Sequence, residues 1–133
     1  MAPPIQHLEL PRHPGAAIRA REAASQILGD AVSRGQRVTP AAADIALLIV
    51  SELVTNAVRH TRGPCTLDLK VGDGAIDIKV TDSSPTPPEP RPPHVDGTGG
   101  WGWILVNHLA RQITVRPSPH GGKIIHALIP TTV

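Results

Sequence analysis

The chain has 133 residues, 40% of them hydrophobic and 18% charged, which points to one domain with an ordinary core and excludes a chain disordered by composition. Thirteen basic against eleven acidic residues leave a formal charge of +2, too small an imbalance to mark a nucleic-acid-binding surface. A single cysteine, Cys65, excludes an internal disulfide framework and a cysteine-based metal cluster; with two Trp and no Phe or Tyr, the core has to be aliphatic.

Ile5 to Leu10 alternates as a short strand closed by Pro11. His13-Pro14-Gly15 is a turn, with Pro14 suited to a first helical turn. From Ala16 to about Arg34 the apolar positions Ile18, Ala23, Ala24, Ile27, Leu28, Ala31 and Val32 fall on one helical face, and Gly35 stops the helix. Thr39-Pro40 opens a second helix as N-cap and first-turn proline, with Asp44 early enough to favour the positive helix end. This helix runs to about His60, before Arg62-Gly63-Pro64. Its most apolar run, Ile45 to Val50, has six residues and falls short of a membrane span. Met1-Ala2-Pro3-Pro4 lacks the basic and apolar regions of an export signal, so a cytoplasmic location without membrane contact is expected.

Two alternating segments follow. Cys65, Leu67, Leu69 and Val71 share one strand face, Ile76, Ile78 and Val80 another, and Gly72-Asp73-Gly74 between them signals a hairpin. Residues 83–93 hold six prolines and exclude regular helix or strand; Gly97, Gly99, Gly100 and Gly102 come next. A helix from about Trp101 to Arg111, a strand at Gln112 to Arg116, a turn over Pro117 to Gly122 and a strand at Lys123 to Ile129 complete the chain. The order β-α-α-β-β-loop-α-β-β predicts an α+β fold: a two-layer α/β sandwich with a mostly antiparallel, mixed sheet and helices on one face, as a single domain over residues 1–133.

Three features suggest chemistry. Glu52, Asn56 and His60 are spaced i, i+4, i+8 and form a polar stripe on an otherwise apolar helix. A carboxylate and a carboxamide one turn apart can share a hydrated magnesium ion or orient a hydroxyl; a plain solvated face is the alternative. Asp82 ends the apolar strand, as a site acid or as a turn cap. The glycine cluster leads into a helix start, where exposed amides suit phosphate, or else it is a flexible linker.

In that order these pieces resemble the GHKL or Bergerat-fold ATP-binding superfamily, and within it the short stand-alone anti-sigma factors and serine-protein kinases of partner-switching systems. Ser51-Glu52-Leu53-Val54-Thr55-Asn56-Ala57-Val58-Arg59-His60 is similar to their N box. Val80-Thr81-Asp82-Ser83-Ser84-Pro85 resembles the first glycine box in its D-x-S-P form, and Gly100-Trp101-Gly102-Trp103-Ile104-Leu105-Val106 the second. Gly121-Gly122-Lys123 before the last strand also matches. The resemblance implies that Asn56 coordinates Mg²⁺ bridging the phosphates, that Glu52 is general base on a partner serine, and that Asp82 accepts the adenine amino hydrogen bond. It further implies that Gly100 and Gly102 cradle phosphate, that Arg59 or His60 reaches phosphate oxygens, and that Ser84 and Thr98 belong to the nucleotide site.

Departures from the family pattern are Ser84 for a frequent glycine, Trp101 for a frequent basic residue, Ile124 where threonine often supports the adenine, and a Pro-rich stretch in place of much of the lid. Trp101 and Trp103 read as packing or lid anchors; His94, His108, His120 and His126 lack metal-ligand spacing, and Cys65 reads as a buried strand residue. The implied function is an ATP- and Mg²⁺-binding anti-sigma factor that sequesters a sigma factor and phosphorylates a serine on its antagonist, with no direct nucleic-acid contact and a homodimer left open. The alternative is a partner-switching module without phosphoryl transfer. The detached catalytic domain of a histidine kinase fits less well, because no helix with a phospho-acceptor histidine precedes the fold and the Asp box is not D-x-G-x-G.

Overall fold

In chain order the elements are β1 (Gln6–Leu10), α1 (Ala16–Ser33), α2 (Pro40–His60), β2 (Cys65–Val71), β3 (Ala75–Asp82), α3 (Gly102–Leu109), β4 (Gln112–Pro117) and β5 (Lys123–Pro130). The structure, a computed structural model, describes residues 5–84, 102–119 and 121–133. Among these the strands form one sheet in the order β1-β2-β3-β5-β4, and every pairing is antiparallel, so the sheet is not mixed as the sequence suggests. The β2–β3 turn is the glycine hairpin: Gly72 N donates to Ala75 O at 2.9 Å, and Gly74 takes φ +85°, the left-handed region that glycine enters without a Cβ clash.

Period-two alternation builds the core. Leu67, Leu69, Ile76, Ile78, Val80, Ile125, Ala127 and Ile129 all point to one face and are buried. Over that face lies α2, burying Ala42, Ala46, Ile49, Val50, Leu53, Val54 and Ala57, and packing on α1, α3, β2, β3 and β5. Ile45, Leu48 and Val58 flank that buried side and are half-buried.

The expected face of α1 is rotated. Ile18 is 64% and Val32 50% exposed, while Ala16, Ala20, Ala24, Leu28 and Ala31 are buried. Alanines near every fourth position let two helix backbones approach closely, which excludes less water with Ile18 but packs α1 against α2. Asp44 stands fifth in α2, outside its first turn, so the start of that helix rests on its cap and not on an acidic residue. Helix α3 ends at Leu109, two residues before the expected end, where Arg111 N turns to donate to Leu128 O. Helix α2 has 21 residues, and its most apolar 18-residue window has a mean hydropathy of 1.7, long and apolar enough by composition to cross a membrane, although its longest apolar run is short. In this fold that apolar side is the one laid on the sheet.

Thr39 fixes the start of α2. Its Oγ1 accepts from Ala42 N at 3.2 Å, and its backbone N–H donates to Thr131 O at 2.9 Å, tying the helix to the segment after β5. Thr39→Ala should lower stability by about 1 kcal/mol, read as a fall in Tm of a few degrees, and Thr39→Ser should restore most of it. An unchanged Tm in Thr39→Ala would show the cap to be dispensable.

Candidate functional site

The border of the apolar face of α2 carries the polar stripe. Glu52 and Asn56 are half-buried, between the buried pairs Val50–Leu53 and Val54–Ala57, whereas Arg59 and His60 are exposed in the last turn. Glu52 and Asn56 therefore stand one turn apart on one side of α2, neither in the core nor fully in water. The end of the helix is anchored: Thr61 Oγ1 donates to Ala57 O at 2.6 Å, and Arg12 Nε donates to Thr61 O at 2.9 Å. Asn56 offers a hard carboxamide oxygen, the donor type that suits Mg²⁺ sharing its coordination with water and phosphate. No group of three or more His, Cys, Asp or Glu side chains able to hold a metal exists among the described residues, so a cation here would depend on ligands from a bound phosphate.

The end of β3 differs from expectation. Asp82 is buried, 6% exposed, and its carboxylate is already engaged. Lys123 Nζ lies 2.9 Å from Oδ2 and 3.0 Å from Oδ1, and Ser84 N donates to Oδ1 at 2.9 Å. Lys123, also 6% exposed, points its ammonium further toward Ser84 O at 3.4 Å. Two charges leave water together here, which is tolerable only because each is satisfied by the other. Backbone packing holds the arrangement: a Cβ at Gly122 would fall 1.7 Å from Asp82 O, so only glycine lets β5 start this close to the end of β3. Cys65 lies in the same corner; burial pushes its thiol up to about 11, and the charge of Asp82 adds to the rise.

Lys123 is the site residue that sequence reasoning missed. The signal was present: Ile125, Ala127 and Ile129 alternate inward, so Lys123 must also face inward while Ile124 faces the opposite side of the sheet. Ile124 therefore faces away from the corner at Asp82, and Lys123 is the residue of β5 that reaches it. Ser84 is half-buried beside Asp82, and Gly102 is the first residue of α3. Thr98, Gly100, Trp101, His94, His120 and the proline block lie outside the described residues. Trp103 packs against the core as expected of an anchor, and His108 is exposed. His126 pairs with Asp77 on the helix-free face of the sheet. A groove of about 250 Å³ on that face is lined by Gln112, Thr114, Arg116, His126 and Leu128; none of the expected site residues borders it.

Residues 14–127 match the family model of the histidine kinase-like ATPase domain. The anti-sigma F factor of Pasteuria penetrans is 29% identical over 94 residues, covering 60% of this chain and 63% of that protein, so the chain matches less than two thirds of its relative. A structure of the RsbU and RsbW domains of a Mycobacterium tuberculosis protein superposes with a TM-score of 0.70 at 17% identity, over 95% of this chain and 32% of that one. At that identity the likeness is one of fold.

The corner at Cys65 makes a pH-dependent forecast. The native thiol keeps its proton above the pH at which an unfolded thiol, near 9, has lost it. The unfolded state then binds fewer protons, so this group lowers stability as pH rises from about 9 toward 11. Chemical denaturation across that range should show a steeper loss in the parental chain than in Cys65→Ala. Equal slopes would remove the thiol from the alkaline response.

Proposed function

The chain belongs to the histidine kinase-like ATPase domain family, and we propose that it is an ATP-dependent partner-switching regulator: an anti-sigma factor that captures a sigma factor and phosphorylates a serine on an antagonist protein. The observation that carries this reading is the half-buried pair Glu52 and Asn56, one turn apart on α2, the helix that packs over the strand ending in Asp82. The anti-sigma F factor likeness supports the choice of partners. ATP with Mg²⁺ would supply the phosphoryl group and neutralise its charge, the two needs that dominate phosphoryl transfer. Asn56 would hold the cation through its carboxamide oxygen. Glu52, at the border between core and water, would take the proton from the partner's serine hydroxyl. Arg59 and His60, exposed one turn further on, would meet phosphate oxygens or the partner itself.

A second reading is favoured by a specific observation, the engagement of Asp82 by Lys123. In it the fold holds its partner without phosphoryl transfer, and exchange between partners alone regulates it. The two readings part on α2. Partners identified by co-purification and mass spectrometry, mixed with γ-labelled ATP, show whether label reaches the antagonist. Under the kinase reading, Glu52→Gln should keep ATP affinity and partner capture near parental values and slow transfer by about 10²–10⁴-fold. Asn56→Ala should instead lower ATP affinity and its magnesium dependence. Parental transfer rates in Glu52→Gln would sink the general-base role, and no transfer by the parental chain would leave the binding-module reading.

A further inference from the structure

Asp82 and Lys123 are direct partners in the β3–β5 pairing, and both belong to the inward-facing set of their strands. The other lysines, Lys70 and Lys79, occupy the positions between buried residues and so face the opposite side. A lysine is seldom buried unless paired, and burying one against the strand-end acid is a departure that packing alone does not call for. The ammonium has three donors and three acceptors within reach: both Asp82 oxygens and Ser84 O. The carboxylate, with about four lone-pair sites, spends three of them on Lys123 and on Ser84 N. Asp82 therefore meets any ligand with its charge balanced and most of its acceptor capacity in use.

We propose that Lys123 sets ATP affinity at the base end of the nucleotide site: its ammonium occupies the acceptor that a purine amino group would take, so the base and Lys123 compete for Asp82. This rests on the reading of Asp82 as the base-end acid of a nucleotide site. A backbone shift does not relieve the competition easily, because Asp82 and Lys123 are paired in the β3–β5 ladder and the backbone at Gly122 already lies against that of Asp82. For a base to gain the carboxylate, the lysine side chain itself has to turn away, giving up its partners in a dry corner beside Cys65. Nucleotide binding to the parental chain is weakened by that step. The phosphate end, at Asn56, is left untouched by it.

Calorimetry with ATP and Mg²⁺, backed by the ATP-dependent rise in Tm, tests this on the full chain. Lys123→Thr frees the carboxylate and should bind ATP about tenfold or more tightly than the parental chain, the worth of a hydrogen bond to a charged group. Adding Asp82→Asn to Lys123→Thr should abolish the gain. Should Lys123→Thr fail to fold with its acid unpaired, Lys123→Gln fills similar space, donates without charge and should show a smaller gain in the same direction. Unchanged or weaker ATP binding in the folded variant, or a gain that survives Asp82→Asn, overturns the proposal. ATP bound tightly by the parental chain and more weakly by the variant overturns it while leaving the nucleotide site standing. No binding by the parental chain or any variant removes both.

Discussion

The packing of α2 on the inner face of the sheet is the constraint on which the rest depends. That helix touches α1, α3 and three of the strands, and it supplies seven buried residues. Truncating a buried leucine or isoleucine to alanine costs about 2–5 kcal/mol, against a total stability of about 5–15 kcal/mol for a small domain. Ile49 or Leu53 alone thus commands a sizeable share of what holds the chain folded. The same constraint locates the polar stripe. A helix buried along one broad side can keep a carboxylate and a carboxamide only at its border, where Glu52 and Asn56 are found.

The second constraint is electrostatic and acts at the other side of the candidate site. Taking an ammonium and a carboxylate from water costs several kcal/mol per ion, and their attraction compensates only when further hydrogen bonds complete both shells. Ser84 N and Ser84 O provide those extra bonds. The pair is therefore weak grounds for stability, since an apolar pair of similar volume could hold the corner as well. Its effect is on what the corner can accept: a buried carboxylate without Lys123 would demand a donor from a ligand, and with Lys123 it does not.

Much of the fold was legible in the sequence, and the reasons differ by element. Strands β2 and β3 declare themselves because polar residues alternate with apolar ones at period two, whereas β5, with Ile124 and Leu128 on its outer face, reads only as an apolar run. The start of α2 was legible because Thr39 and Pro40 have local, mechanistic signatures. The faces of α1 were not. Hydrophobicity ranks Ile18 and Val32 above alanine, yet close helix–helix approach selects small side chains, and that preference appears only once α2 is in place. For the site, Glu52, Asn56 and Asp82 stood out as polar residues on apolar elements. Lys123 did not, because a lysine at the start of a strand looks like an ordinary exposed end. Its inward aim continues the alternation of Ile125, Ala127 and Ile129, but that it meets Asp82 follows from the register of β5 against β3, a relation between residues 41 apart.

These two constraints divide the candidate site into two halves of different physical character. At 17% identity and a TM-score of 0.70, the aliphatic pattern has kept the architecture while most side chains differ, which is what packing by size and alternation allows. Architecture therefore does not carry the chemistry along with it; each half has to be argued from its own residues. On α2 the carboxylate and carboxamide stand one turn apart and half-buried, an arrangement compatible with the proton transfer and cation binding proposed for them. At the β3–β5 corner the acid retains its place, but an internal cation answers it. A ligand that gains its affinity mainly through phosphate and magnesium would meet the first half unopposed and the second half closed. The affinity a base could add would then depend on the ease with which Lys123 yields, and its hydrogen-bond partners Asp82 and Ser84 set that ease.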